Sequence, residues 1–235
     1  MKNWFFFIMA ALAFQCLAAT DGSTTLERLH YAEQHYAQPA DPLHNEQLYI
    51  AALEDVLSDT TLTETDKMRP RILLERAVKN RIGSLATDLE LTTRDGDVIS
   101  LSQLPRKFTL LFFNDPDCDA CHILKNRLDT TQVINNYVNS DLLQIVGIYP
   151  YGDQQRWCAT SYPSNVINLW DEKQQIEEEE RYILPSIPLF YLLNADGKVL
   201  VKNEASLNRV LRALERIMIS SDRSTEGLLR LLYNP

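Results

Sequence analysis

Two cysteines separated by two residues, Cys118 and Cys121, are the side chains of this sequence best suited to chemistry. They follow the apolar run 107–113 and open a stretch with helical patterning, so both thiols are expected where a strand passes into a helix. A thiol at a helix N-terminus has its anion stabilised by unpaired backbone N–H groups and by the helix dipole, which lowers its pKa below about 8.5. The spacing also lets the second thiol close a disulfide with the first. The pattern therefore predicts thiol–disulfide exchange.

The first 19 residues have the features of a cleaved secretory signal peptide. Lys2 supplies the positive start, residues 4–14 an apolar segment, and residues 17–19 a small-residue cleavage site. This segment is shorter than the roughly 20 residues that a membrane-spanning helix needs, and no other apolar run reaches that length. Cys16 suggests a lipoprotein, but the residues before it, Phe14-Gln15, are unfavourable for lipidation. Membrane attachment would require that Cys16 be lipidated.

The chain is long enough for one full domain and a smaller one, and it is acidic. It has 235 residues, 45% of them apolar. Removal of the signal peptide takes away Lys2 and no acidic residue, which leaves 22 basic and 32 acidic residues and a net charge of −10. This charge argues against nucleic acid as a partner.

Export places the remaining cysteines, Cys118, Cys121 and Cys158, in an oxidising compartment. A CxxC pair there is expected to cycle between thiol and disulfide. Cys158 is an odd thiol in an exported protein. It is interpreted as a half-buried small apolar side chain, with a second resolving thiol as the alternative.

The periodicity changes near Gly83, which divides the mature chain into two domains. Residues 20–82 have apolar positions at helical spacing, and three helices fit best, with Pro70 in the first turn of the third or kinking it. Residues 83–219 form the second domain, and 220–235 a C-terminal tail. In the second domain, strands are predicted at 89–92, 97–101, 108–113, 142–148, 189–193 and 198–202, with helical segments from Cys121 to about 140, at 152–182 and at 206–219. This order predicts an α/β fold with a central mixed sheet flanked by helices.

The second domain resembles the thioredoxin superfamily over about residues 83–219. The similarity rests on the entry segment 83–91, the turn and following segment 95–104, the strand–CxxC–helix unit, and Ser186-Ile187-Pro188 before a strand. Within the superfamily it is similar to the exported branch that includes cytochrome-maturation and peroxide-detoxifying reductases of bacterial envelopes. The helical region 20–82 looks like the N-terminal extension of some envelope proteins of this kind.

The resemblance implies a redox-active disulfide between Cys118 and Cys121, with Cys118 as the attacking thiolate and Cys121 as the resolving thiol. The residues support these roles, since the first sulfur lies at the exposed helix end and the second within the first turn. Pro188 is implied to be a cis-proline beside them, and the backbone of Ile187 to bind the substrate peptide. No cofactor is implied. The implied partners are client proteins with disulfides or thiols and an upstream membrane electron donor, in the periplasm or cell envelope.

Two departures from the superfamily pattern concern charge and proton transfer. Three aspartates, Asp115, Asp117 and Asp119, surround the first cysteine, which opposes the thiolate and favours a reducing couple. The predicted activity is therefore that of a reductase, with an isomerase as the alternative. The position that holds a buried acid in cytoplasmic thioredoxins is Phe112, and the position that holds a glutamate in some envelope reductases is Leu124. Among the residues near the pair, His122 is the predicted proton acceptor and also a cation to offset the aspartates.

Three alternatives remain at the level of sequence. The domain could be a non-catalytic thioredoxin-like binding module whose cysteines form a structural disulfide. The segment 118–122 also spells CxxCH, the attachment pattern of c-type haem, although it follows a buried strand rather than sitting in a small helical protein. Structural zinc is disfavoured because Cys121 and His122 are adjacent on a helix and point apart.

Overall fold

The computed structural model describes residues 23–39, 41–104 and 107–219. The predicted signal peptide, Cys16 and the tail 220–235 lie outside the described residues. In the described segments, no helix is both long and apolar enough to cross a membrane. The chain divides into two compact units between Lys79 and Asn80.

The first unit contains three helices, as the apolar spacing predicts. They are α1 (Thr25–His35), α2 (Glu46–Ser58) and α3 (Glu64–Val78). Thr24 and Thr63 begin α1 and α3 with capping boxes, in which each threonine hydroxyl accepts a backbone N–H and an acidic side chain bonds back. Pro70 lies in the interior of α3 rather than in its first turn, and the helix continues beyond it. The buried core of this unit consists of Leu29, Ala32, Ala52, Leu53 and Val56.

The second unit carries the sheet. Its strands are β1 (Glu90–Thr92), β2 (Val98–Ser100), β3 (Phe108–Phe113), β4 (Leu143–Tyr149), β5 (Val166–Trp170), β6 (Leu189–Leu193) and β7 (Val199–Glu204). Its helices are α4 (Asp119–Thr130), α5 (Gln132–Asn139), α6 (Gln154–Ala159) and α7 (207–219). A single 3₁₀ turn, Leu101–Gln103, follows β2.

The seven strands form one mixed sheet in the order β2-β1-β5-β4-β3-β6-β7. Strands β3, β4 and β5 are parallel, whereas the other pairs are antiparallel. Alternate residues of β3 face opposite sides, because side chains alternate along a strand. Leu110 and Phe112 pack in the core that includes Cys121, and Leu111 and Phe113 pack in the core on the other side. The predicted α/β fold with a central mixed sheet is confirmed.

Two predicted helical segments are wrong. Region 152–182 contains only the short α6, and its middle is the buried strand β5, which pairs in parallel with β4. Short apolar runs do not distinguish a buried strand from a helix by periodicity alone. The single helix predicted from Cys121 to about 140 is two helices, because Thr131 adopts an extended backbone (φ −76°, ψ 110°) between α4 and α5.

Candidate active site

The two cysteines lie at the start of α4, as predicted. Cys118 is the N-cap residue, and its Sγ accepts the backbone N–H of Cys121 at 3.2 Å. One of the N–H groups that are unpaired at any helix start is therefore directed at this sulfur. An ionised sulfur at this position is stabilised by the donor and by the helix dipole. Both cysteines are free thiols in this structure.

The two thiols differ in exposure, which separates their roles. Cys118 is partly exposed, whereas Cys121 is fully buried in the core beside Phe112. Burial raises the pKa of the Cys121 thiol, and the neighbouring Cys118 raises it further. An incoming disulfide can reach only the first sulfur without disturbing the core. The buried Cys121 sulfur can then react only with the neighbouring Cys118 sulfur.

The loop before β6 brings Ile187 and Pro188 to the first cysteine. The Ile187–Pro188 peptide bond is cis, as the resemblance implies. The Sγ of Cys118 lies 4.0 Å from the carbonyl oxygen of Ile187, 69 positions away in the chain. Within the described part of the chain, the backbone N–H of Ile187 has no hydrogen-bond partner. An extended peptide next to Cys118 would therefore find a donor and an acceptor on one residue.

The acidic residues around Cys118 are partly neutralised by a cation that the sequence did not reveal. Arg156 of α6 forms an ion pair with Asp117 at 3.1 Å, and its Nε lies 3.9 Å from Asp153. Asp115 accepts the backbone N–H of Asp117 at 2.9 Å and so shapes the loop. Region 152–182 was predicted as helical without a site role, so no sequence signal placed Arg156 here.

The other residues singled out from the sequence separate into buried and exposed ones. Phe112 is fully buried and stacks on Phe190, with ring centroids 5.0 Å apart. Leu124 is buried in the same core. His122 is exposed, and its backbone N–H donates to the carbonyl of Cys118. The predicted proton acceptor therefore faces solvent, while the resolving thiol is buried.

A cluster of three polar residues, Lys125, Tyr162 and Asn114, was not predicted from the sequence. Lys125 is only 6% exposed, and its Nζ is 4.8 Å from the centroid of the Tyr162 ring. The Tyr162 hydroxyl donates to Oδ1 of the buried Asn114 at 2.6 Å, and Asn114 also bonds the carbonyls of Phe112 and Ile148. The available signal was helical spacing, because Lys125 is four residues after Cys121 and therefore on the same face of α4.

Cys158 lies outside this arrangement. It is exposed on α6, not half-buried as predicted, because the large side chain of Trp157 occupies the interior instead. The carbonyls of Trp157 and Cys158 both accept hydrogen bonds from Arg94.

In the residues that the structure describes, no three potential metal ligands are grouped together.

A mixed sheet flanked by helices, with a CxxC pair at a helix start and a cis-proline beside it, defines a thioredoxin-like domain. A solved thioredoxin-like protein from Bacteroides caccae is 31% identical to this chain, with a TM-score of 0.78. The similarity covers 91% of this chain and 77% of that protein. This chain therefore belongs to the thioredoxin-like family.

Two further solved structures match somewhat more than half of the chain. The C-terminal domain of an uncharacterised protein from Bacteroides fragilis is 31% identical, with a TM-score of 0.56, over 59% of this chain and 99% of that domain. A conserved protein of unknown function from the same species is 27% identical, with a TM-score of 0.54, over 57% of this chain and 98% of that protein. No protein-family model matches the chain, and a search of curated proteins gives no match.

Proposed function

We propose that this protein is a thiol–disulfide oxidoreductase that acts on protein disulfides in the bacterial cell envelope. The observation that carries the proposal is the position of Cys118, whose sulfur caps α4 and accepts the backbone N–H of Cys121. The reactive form of cysteine in exchange is the thiolate, and this N–H is directed at the atom that carries its negative charge. The envelope location rests on the predicted signal peptide.

The proposed reaction reduces one client disulfide. The Cys118 thiolate attacks a client sulfur, so a Cys118–client bond forms and the client disulfide breaks, releasing a client thiolate that takes a proton. Cys121 then attacks Sγ of Cys118 and releases the second client sulfur. The client gains two electrons and two protons, and the protein is left with a Cys118–Cys121 disulfide. A membrane electron donor would reduce this disulfide again.

The client would dock as an extended segment along Ile187. The carbonyl of this residue lies beside the reactive sulfur, its N–H has no hydrogen-bond partner in the described part of the chain, and Pro188 follows it. Strand-like pairing to the main chain holds a peptide with little selectivity for its sequence, because the hydrogen bonds involve only backbone groups. His122, exposed at the same end of α4, is proposed to supply or accept the proton of the departing client thiol.

Trapping the mixed disulfide tests the proposal. In Cys121→Ala, the attack by Cys118 can occur but the resolving step cannot, so a client should stay covalently attached. We expect mass analysis of the protein recovered from envelope extracts to show adducts at Cys118 that reductant removes. The matched control is the double variant Cys118→Ala/Cys121→Ala, which retains Cys158 and should carry none of these adducts.

Absence of any adduct at Cys118 when oxidised clients are present would contradict exchange. That outcome would favour the alternative, a thioredoxin-like binding module whose cysteines form a structural disulfide. Adducts confined to Cys158 would also contradict the proposal, since that thiol lies outside the site.

A further inference from the structure

A buried lysine one helical turn after the resolving thiol has no role in the exchange reaction proposed above. Lys125 lies one helical turn after Cys121 on the buried face of α4, between the core residues Leu124 and Leu128. Lysine is almost never fully buried without a partner. Yet in the described part of the chain, no carboxylate pairs with Lys125.

The surroundings hold the amine in place without a negative charge. Its Nζ faces the ring of Tyr162, which attracts a cation through its π-electrons. The ring is fixed at both ends: its hydroxyl bonds Asn114, and its edge approaches Gly147 of β4. A Cβ on Gly147 would lie only 3.2 Å from the Tyr162 ring. A side chain at position 147 would therefore crowd the Tyr162 ring, so glycine leaves room for the ring at this position.

Burial acts on the lysine and the thiol in opposite senses. It lowers the pKa of the Lys125 ammonium, which the nearby Cys121 partly offsets. It raises the pKa of the Cys121 thiol. The remaining groups that act on this pair are Cys118 and Asp115, together with the neutral phenol of Tyr162. Burial opposes the charged form of each residue, but a thiolate on Cys121 and an ammonium on Lys125, one helical turn apart, stabilise each other.

We propose that Lys125 accepts the proton of Cys121 when this thiol attacks the mixed disulfide. This inference rests on the proposed function and assigns its resolving step. The S–H proton of Cys121 passes to the neutral amine of Lys125, and the resulting thiolate attacks Sγ of Cys118. The Cys118–Cys121 bond forms, the Cys118–client bond breaks, and the client leaves as a thiolate. When the disulfide is reduced again, the ammonium returns the proton.

This arrangement assigns the two proton transfers to two sides of α4. His122 is exposed to solvent, whereas Lys125 is buried. Phe112 and Leu124 stand at the two positions where related proteins carry an acidic residue. Lys125 would therefore perform the proton transfer that such an acid performs there. An amine and a carboxylate can each carry the proton, but the amine forms a cation after transfer, and the Tyr162 ring stabilises that cation.

The two steps can be observed separately with 5,5′-dithiobis(2-nitrobenzoic acid). Attack by Cys118 releases a first coloured thiolate, and attack by Cys121 on the mixed disulfide releases a second. All proteins carry Cys158→Ser, so the exposed third thiol does not react. Loss of the first phase would contradict the proposed function, whereas the second phase reports on the inference alone.

We expect Lys125→Met to leave the first phase unchanged and to slow the second by about a hundredfold at neutral pH, as for loss of a positioned base. The control Arg127→Met removes a cation from the same helix that instead bonds Asn208, and its second phase should match the parent. An unchanged second phase in Lys125→Met would overturn the inference. Equal slowing in Arg127→Met would also overturn it.

The pH profile of the second phase in the parent protein tests the inference without any change to Lys125. If Lys125 takes the proton, the rate should level off at a pH below that at which Cys121 ionises alone. In Lys125→Met the rate should instead keep rising with pH, because the burial-raised pKa of Cys121 then governs it. A parent profile that rises without a break would overturn the inference.

Discussion

Replacement of Cys118 by serine is expected to reduce the turnover of a disulfide substrate to the uncatalysed rate. A serine hydroxyl at the N-cap of α4 keeps the hydrogen bond from the Cys121 N–H but supplies no sulfur to form the mixed disulfide. Cys121 cannot take over the attack, because it is buried and its pKa is raised by that burial. Reduction of insulin by the protein in the presence of a dithiol measures the effect.

The matched control for this variant is Cys158→Ser, which removes the exposed thiol of α6 and should retain full activity. Circular dichroism of both variants should show the parent secondary structure, since serine replaces cysteine at partly or fully exposed positions. Substantial turnover by Cys118→Ser would contradict the assignment of the attacking sulfur. Loss of turnover in Cys158→Ser would revive the hypothesis that Cys158 is a second resolving thiol.

Replacement of Asp171 by alanine is expected to lower the free energy of unfolding of the second unit by about 3 kcal/mol, as when buried donors lose their acceptor. Asp171 is fully buried directly after β5. Its carboxylate accepts the backbone N–H groups of Gln175 and Ile176 at 3.1 and 2.7 Å. The Gln175 side chain in turn bonds both main-chain groups of Glu90 in β1. Asp171 therefore connects the end of β5 to the following turn, and through Gln175 to the hairpin of β1 and β2.

The buried and stacked Trp157 and Trp170 provide the measurement, because their fluorescence reports on this unit during denaturation by urea. The control is Asp129→Ala. Asp129 is exposed on α4, and its side chain has no hydrogen bond or ion pair in the described part of the chain. This control should change stability by less than about 0.5 kcal/mol. A loss below about 1 kcal/mol in Asp171→Ala would contradict the role of its carboxylate.

The elements that the sequence predicted well have strong local signals. Strands β3 and β6 were predicted with the same limits, because each is a continuous apolar run between turn signals. The three helices of the first unit follow from apolar spacing. The structure adds the capping boxes of Thr24 and Thr63 at the first and third of them. The proximity of the two cysteines also follows from local geometry, because residues three apart at the start of a helix are neighbours in any protein.

Strand β5 shows why part of the fold was missed. The run Val166–Trp170 has too few residues to show a period, and its extended form depends on parallel pairing with β4 and on the anchor at Asp171. These partners lie outside the segment itself. Tertiary pairing decided its structure, and with it the positions of Arg156 and Tyr162, which both precede β5 in the chain.

The sequence by itself determined the reactive pair, its place at the start of a helix, and the family fold that holds it. Only the tertiary structure brought Ile187 against Cys118, Arg156 to Asp117, and the Tyr162 ring over Lys125. The physical reason is the range of the interactions. Helix capping acts between residues a few positions apart, whereas these contacts join residues tens of positions apart that meet only when the sheet has formed.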